Sequence, residues 1–277
     1  MSVYSHSRIS TYEQCALKFK YQYIDKIIPL RKETIEAYLG RIVHETLEWL
    51  YTQIKNKKTP LIEEVIDYYS KKWEEKYESD TPIIDKRKTQ KDYFNKGIKF
   101  LIDYYMKYKP FNTNTIEVEK RIVINLDENG KYKIQGFIDR LDYNSEIGEY
   151  EIHDYKTTNS VPYKERIDND RQLALYSIGI KELYGKNVTL VWHFLAHNLK
   201  VCSRRTEEQL QELKGKTLSI IKKIESTEEF LPNKSVLCSW CEYKPICPVW
   251  GNQPPKTDTQ RKLTEKEVRE KELDIWD

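Results

Sequence analysis

The stretch FIDRLDYNSEIGEYEIHDYKTT, residues 137–158, limits the fold more than any other in this chain. Two runs of alternating apolar and polar residues flank NSEIGE, whose Asn and Gly punctuate a turn, so the stretch reads as a β-hairpin. A hairpin with an apolar face needs a second layer to cover it. Yet Asp139 stands in one arm, and Asp154 with Lys156 in the other, inside the apolar alternation. Side chains two apart on a strand share a face, so Asp154 and Lys156 point the same way, and the short turn brings Asp139 beside Asp154. Two close carboxylates repel each other. A divalent cation is the economical remedy, because carboxylate oxygens are hard ligands suited to Mg2+ or Mn2+. Lys156 would then be a cation aimed at developing negative charge. A bare Asp-x-Lys is usually a surface pair of little consequence. Here apolar residues flank both arms, and a helix carrying Gln172 and Tyr176 one turn apart follows directly, which favours a site.

The rest of the chain supplies the layers. Residues 34–56 read as a helix, with Leu39, Val43, Leu47 and Leu50 at helical spacing. Residues 61–78 and 88–109 repeat that texture with aromatic stripes (Tyr69, Trp73, Tyr77; Phe94, Phe100, Tyr104), which are read as core packing. Strands are expected at 115–125, 131–143 and 149–157. DNDRQLALYSIGIKELYG follows as a helix, with Asp or Asn caps at its start and Gly185 after its end. NVTLVWHFLAH is a further apolar strand and 206–228 a further helix. On it His193 and His197 share a face without zinc geometry, and both are read as structural. The order predicts an α/β sheet with helices on its faces and an all-helical insertion at 57–110. After Pro255 the core face disappears, so 254–277 is expected to be a charged, mobile or solvated helical tail.

Charged residues make up 33% of the chain, which predicts a soluble protein, and 21 Tyr leave enough rings for a core and for surfaces. No apolar run approaches the roughly 18–20 residues needed to span a bilayer. The start, MSVYSHSRISTYEQC, has no apolar stretch of signal-peptide type, so a cytoplasmic location and no membrane partner are expected. A net charge of +3 does not by itself argue for nucleic acid. Any basic surface must be local: Lys18, Lys20 and Lys26; Lys86, Arg87, Lys88 and Lys91; or Lys200, Arg204 and Arg205.

Five cysteines in such a chain are ligands or thiols before they are disulfides. Cys238, Cys241 and Cys247 lie within ten residues, with Pro248 after the last, while Cys15 and Cys202 stand apart. The regular spacing suits a metal centre that needs a fourth ligand, whether an iron–sulfur cluster or a structural Zn2+ knot.

Taken in order, SRISTYEQCALKFKYQYI, LGRIVHETLE, GFIDRLD, IHDYKTT, RQLALYSIG and CSWCEYKPICPVW span residues 7 to 250. The chain thereby resembles the PD-(D/E)XK nucleases of the RecB-like group, close to the CRISPR-associated iron–sulfur exonucleases and to the nuclease domains of recombination helicase–nucleases. The resemblance implies a restriction-endonuclease-like core: a mixed central sheet flanked by helices, filling residues 1–253, with a cysteine segment at 236–250. It implies His44, Asp139, Asp154 and the carbonyl of Tyr155 as metal ligands, although His44 weighed alone would be an ordinary helical histidine. Lys156 would be the catalytic lysine, supported by Gln172 and Tyr176; Glu119 matches loosely. Cys15 would complete a 4Fe–4S cluster with Cys238, Cys241 and Cys247, leaving Cys202 a plain thiol. Ala16 and Thr158 depart from the family's usual Pro and Gly but remove no functional group. The implied activity is divalent-metal-dependent DNA hydrolysis, as a single-strand exonuclease in recombination, repair or CRISPR adaptation, with helicase or CRISPR adaptation proteins as partners. The rivals are a DNA-binding subunit that retains the fold, and an endonuclease or RNA nuclease.

Overall fold

Residues 2–29 and 33–252 are described by a computed structural model of the chain; the tail expected over 254–277 lies outside them. The described elements are β1 (Ser2–Ser5), α1 (His6–Gln14), α2 (Ala16–Phe19), α3 (Ile35–Lys55), α4 (Ile62–Lys76), α5 (Gln90–Tyr108), β2 (Thr115–Asn125), β3 (Tyr132–Asn144), β4 (Glu149–Lys156), α6 (Lys164–Asp168), α7 (Arg171–Tyr184), β5 (Val188–Phe194), β6 (Leu199–Ser203) and α8 (Glu207–Glu225). They form a mixed α/β fold around one six-stranded sheet. No described helix is long and apolar enough to cross a membrane.

Strand β3 is the axis of the sheet. Along one edge it pairs antiparallel with β2 from Thr115↔Asp142 to Asn125↔Lys133. Its other edge is divided. Parallel β1 holds the first part, ending at Ser5↔Gln135, and antiparallel β4 holds the last part, beginning at Arg140↔His153. The sheet continues through parallel β4–β5 and antiparallel β5–β6. The alternation of burial along β3 also breaks at Asp139: Tyr132, Ile134, Gly136 and Ile138 alternate with half-buried neighbours, whereas Arg140, Leu141 and Asp142 are buried in succession. Across from Asp139, Glu119 has a φ of 45°, between the pairs Val118↔Arg140 and Lys120↔Ile138. That left-handed backbone is uncommon for a residue with a Cβ.

Two apolar cores cover the sheet. On one face Ile9 of α1, Leu173 and Ile180 of α7 and Ile221 of α8 pack on Ile134, Ile138 and Ile152. On the other, Leu39, Val43 and Leu47 of α3 pack with Trp73 of α4 and Phe100 and Tyr104 of α5, meeting the sheet at Tyr155. The Asp170 carboxylate accepts from the Leu173 amide at 3.2 Å and starts α7, and Gly185, at φ +63°, ends it. The hairpin turn uses Gly148 at φ +70°. Strands β1 and β6 are additions to the sequence reading: each is short and becomes a strand through pairing at a sheet edge. The apolar strand expected through His197 ends at Phe194, and Leu195–His197 form a 3-10 turn, so His193 and His197 do not share a strand face.

Candidate active site

The β3–β4 ladder stops at Arg140↔His153, yet β4 runs on beside β5 as far as Lys156↔Phe194. Beyond the last rung the two strands therefore part, and Asp139 and Asp154 stand on either side of the opening. The Tyr155 amide, which has no β3 carbonyl to meet there, donates to Asp139 Oδ2 at 2.9 Å. Helix α3 lies across this point because Gly40 lets it approach: a Cβ there would stand 3.3 Å from Thr157 Oγ1. One turn on, His44 places Nε2 2.7 Å from the Tyr155 carbonyl oxygen and Nδ1 3.3 Å from Asp139 Oδ2. Both ring nitrogens thus face oxygen acceptors. A neutral imidazole carries one N–H and satisfies one of them. This convergence of imidazole, carboxylate and carbonyl is a donor set a divalent cation would fit.

Asp154 and Lys156 lie on the α1 and α7 face of β4. Asp154 is 4% exposed. Lys156 Nζ donates to its Oδ1 at 3.0 Å and stands 2.9 Å from Oδ2, so both carboxylate oxygens face the ammonium. Burial raises the Asp154 carboxyl above its usual range, and the charge of Asp139 adds to this while Lys156 opposes it. Burial alone would depress Lys156; the carboxylates of Asp154, Asp139 and Asp170 hold it above the normal lysine value instead. The Lys156 side chain is 33% exposed, so it is the member of the pair that an incoming molecule can reach.

On α7, Gln172 is half-buried and Tyr176 is fully buried. The Tyr176 phenol lies against Gly136 so closely that a Cβ there would come within 2.1 Å of its hydroxyl. Burial raises its pKa, as do the charges of Asp154, Asp139 and Asp170, with Gln172 opposing.

Several residues at this site carried no legible signal. His6 of α1 shares a hydrogen bond with Ser10 Oγ through Nε2 (3.2 Å), and its Nδ1 accepts from Arg171 Nε (3.4 Å). Arg171, which opens α7, is bidentate to Glu13 at 3.0 and 2.6 Å. Burial, then the charges of Arg171 and Lys156, push His6 down to about 3. These groups come from segments more than a hundred residues apart, so no local spacing announces them.

A second polar group lies on the α3 and α5 face. Arg140, 2% exposed, donates from Nη1 to the hydroxyls of Tyr104 (2.8 Å) and Tyr155 (2.9 Å) and from Nη2 to His153 Nδ1 (2.8 Å). His193 Nε2 reaches the same His153 nitrogen at 2.9 Å, and Tyr108 donates to His193 Nδ1 at 3.1 Å. His153 Nε2 stands 3.4 Å from Asp142 Oδ2 and 3.3 Å from Glu151 Oε2. Asp142, Glu151 and His153 are the only group of three or more such donors mutually within 4.8 Å among the described residues. Their chemistry suits a metal ion, but an arginine cannot accept a hydrogen bond. Arg140 therefore obliges His153 Nδ1 to accept, which places the imidazole proton on Nε2 between the two carboxylates. His44, Asp139 and Asp154 do not all lie within 4.8 Å of one another, and the Asp154 carboxylate is turned onto Lys156.

At the far end of α1, Cys15 joins Cys238, Cys241 and Cys247 around a cavity of about 200 Å3. The Asn233 amide donates to Cys15 Sγ and the Ser235 amide to Cys238 Sγ, both at 3.4 Å. Lys18 pairs with Glu242 at 3.0 Å and Tyr243 donates to the Ile27 carbonyl at 3.0 Å, so the two ends of the described chain are joined without a metal bond. No three of these sulfurs are within 4.8 Å of one another. Tetrahedral zinc, with Zn–S near 2.3 Å, would need edges of about 3.8 Å. Cys202 is exposed on β6, away from them.

A family model, the PD-(D/E)XK nuclease superfamily, matches residues 3–248. No curated protein matches the chain. Among solved structures, that of SSO0001 is 17% identical, with a TM-score of 0.33 over 72% of this chain and 82% of that one.

Proposed function

Because the chain belongs to the PD-(D/E)XK nuclease superfamily, and hence to a family of metal-dependent nucleases, we propose that it is a DNA nuclease acting as an exonuclease on single strands. The observation that supports the reading is the parting of β3 and β4, where His44 and the Tyr155 amide and carbonyl meet Asp139, with Asp154 and Lys156 at the adjoining positions of β4. His44, Asp139, Asp154 and the Tyr155 carbonyl would hold Mg2+ or Mn2+, and the imidazole keeps Mn2+ a candidate. When bound, such an ion lowers the pKa of a water and neutralises phosphoryl oxygens.

The chain's own groups do the rest. Lys156, charged and partly open, donates to the attacking water or to the phosphoryl oxygens as negative charge develops. Asp154 keeps Lys156 protonated and holds its Nζ at 3.0 Å. Tyr176 packs the α7 face against β3 at Gly136, and Gln172, a turn earlier and half-buried, would meet the nucleic-acid backbone. Cys15, Cys238, Cys241 and Cys247 would hold a 4Fe–4S cluster whose structural effect is to close the domain.

DNA as the substrate, single-strand preference, and a place in recombination, repair or CRISPR adaptation beside helicase or adaptation proteins rest on the motif resemblance. Digestion of end-labelled single- and double-stranded DNA, linear and circular, tests the reading. Loss of linear single strands with Mg2+ or Mn2+, stopped by EDTA, with circles intact, is expected. Cleavage of circles would make it an endonuclease, and binding without cleavage a DNA-binding subunit.

A further inference from the structure

Tyr155 belongs to two environments at once. Its amide and carbonyl face Asp139 and His44. Its side chain lies on the other side of the peptide, buried among Arg140, Tyr104 and His193. We infer that Arg140 is a positioning residue for the metal site: by gripping the Tyr155 phenol it fixes the peptide whose carbonyl and amide complete that site. The inference rests on the metal-dependent reading above and assigns a role to residues that reading does not use.

The guanidinium is built in from several elements. Asp142 of β3 stands 3.1 Å from its Nε, His153 of β4 accepts at Nδ1, and Tyr104 of α5 and Tyr155 of β4 share Nη1. The Tyr51 ring of α3 lies 3.8 Å under its plane, and Tyr51 and Tyr104 share a hydrogen bond of 2.7 Å. A buried charge of this kind is retained at a cost that an apolar side chain would avoid, so filling the core is not what it is for. What it does is couple positions. Arg140 and His153 make the last rung before the strands part, and their chain neighbours are Asp139 and Asp154. Past that rung the Tyr155 peptide is paired only on its β5 edge, and the backbone of β3 no longer holds it. The phenol held by Nη1 supplies the missing constraint, and helix α5, outside the sheet, becomes part of it through Tyr104. Groups that orient metal ligands in this way change metal affinity by roughly 10–100-fold when removed.

The test is calorimetric titration of the full chain with Mn2+, alongside thermal unfolding, for the unaltered protein and for Asp154→Ala, Tyr155→Phe, Arg140→Lys and Ile221→Ala. Tyr155→Phe removes only the gripped hydroxyl. Ile221→Ala destabilises a distant core position on α8 and controls for lost stability alone. The expected result is Mn2+ binding that Asp154→Ala abolishes and that Tyr155→Phe and Arg140→Lys weaken about tenfold, with the Ile221→Ala affinity unchanged. Should Arg140→Lys not fold, Tyr155→Phe decides. Unaltered affinity in Tyr155→Phe, or an equal loss in Ile221→Ala, overturns the inference and leaves the nuclease reading standing. Absence of any Asp154-dependent Mn2+ binding overturns that reading and the inference together.

Discussion

The amide of Tyr155 donates to the carboxylate of Asp139 across 2.9 Å, in the place where the next rung of a continuing ladder would have been. A side chain there does what a backbone carbonyl does elsewhere in the sheet. The exchange leaves the Tyr155 carbonyl turned toward His44, an oxygen freed by an interruption in pairing.

Asp154 and Lys156 should be indispensable for cleavage and dispensable for folding. Asp154→Ala and Lys156→Ala should each lower turnover by roughly 10²–10³-fold or more, with circular dichroism and gel-filtration profiles unchanged. Near-normal turnover in folded Asp154→Ala protein would remove the carboxylate from the mechanism.

Tyr176 separates stability from activity. Its hydroxyl is buried beside Gln172, so Tyr176→Phe should change stability by no more than about 1 kcal/mol in a denaturant titration. Cleavage should fall in the same variant, because the phenol borders the charges of Asp154 and Asp139. A marked loss of stability would show that the hydroxyl has a bonding role.

His6 predicts an acid-side slope. The unfolded chain takes up this proton near 6.5, the folded one only at about 3. Between those values the unfolded state binds more protons, so stability rises with pH through the window and is fully present above 6.5. His6→Gln should flatten melting temperature against pH in that range. A slope identical to that of the unaltered protein would place the imidazole in a less buried setting.

The four cysteines around the cavity should act as one. Protein purified without oxygen should be brown, and Ser at Cys15, Cys238, Cys241 or Cys247 should bleach it and lower its melting temperature, because ligand bonds formed only in the folded state stabilise it. Cys202→Ser should do neither. Colourless protein with one equivalent of zinc and no iron would decide for a zinc knot.

Much of this architecture is written in local patterns. The apolar spacing of Leu39, Val43 and Leu47 specifies α3, Asp170 and Gly185 bracket α7, and the Asn144–Gly148 turn sets a register in which Arg140 meets His153 and Asp139 stands across from Asp154. Those features depend on residues a few positions apart, which is what periodicity and turn chemistry record. The tertiary structure alone decides where the ladder ends. That end depends on how β1, a hundred and thirty residues earlier, and β4 divide one edge of β3, and on β5 carrying β4 past the last rung. It alone also brings Tyr51 and Tyr104 onto Arg140, and His6 and Arg171 toward Lys156. A buried arginine or histidine is legible only with its partners, and here they arrive from other helices and strands, placed by packing rather than by sequence spacing.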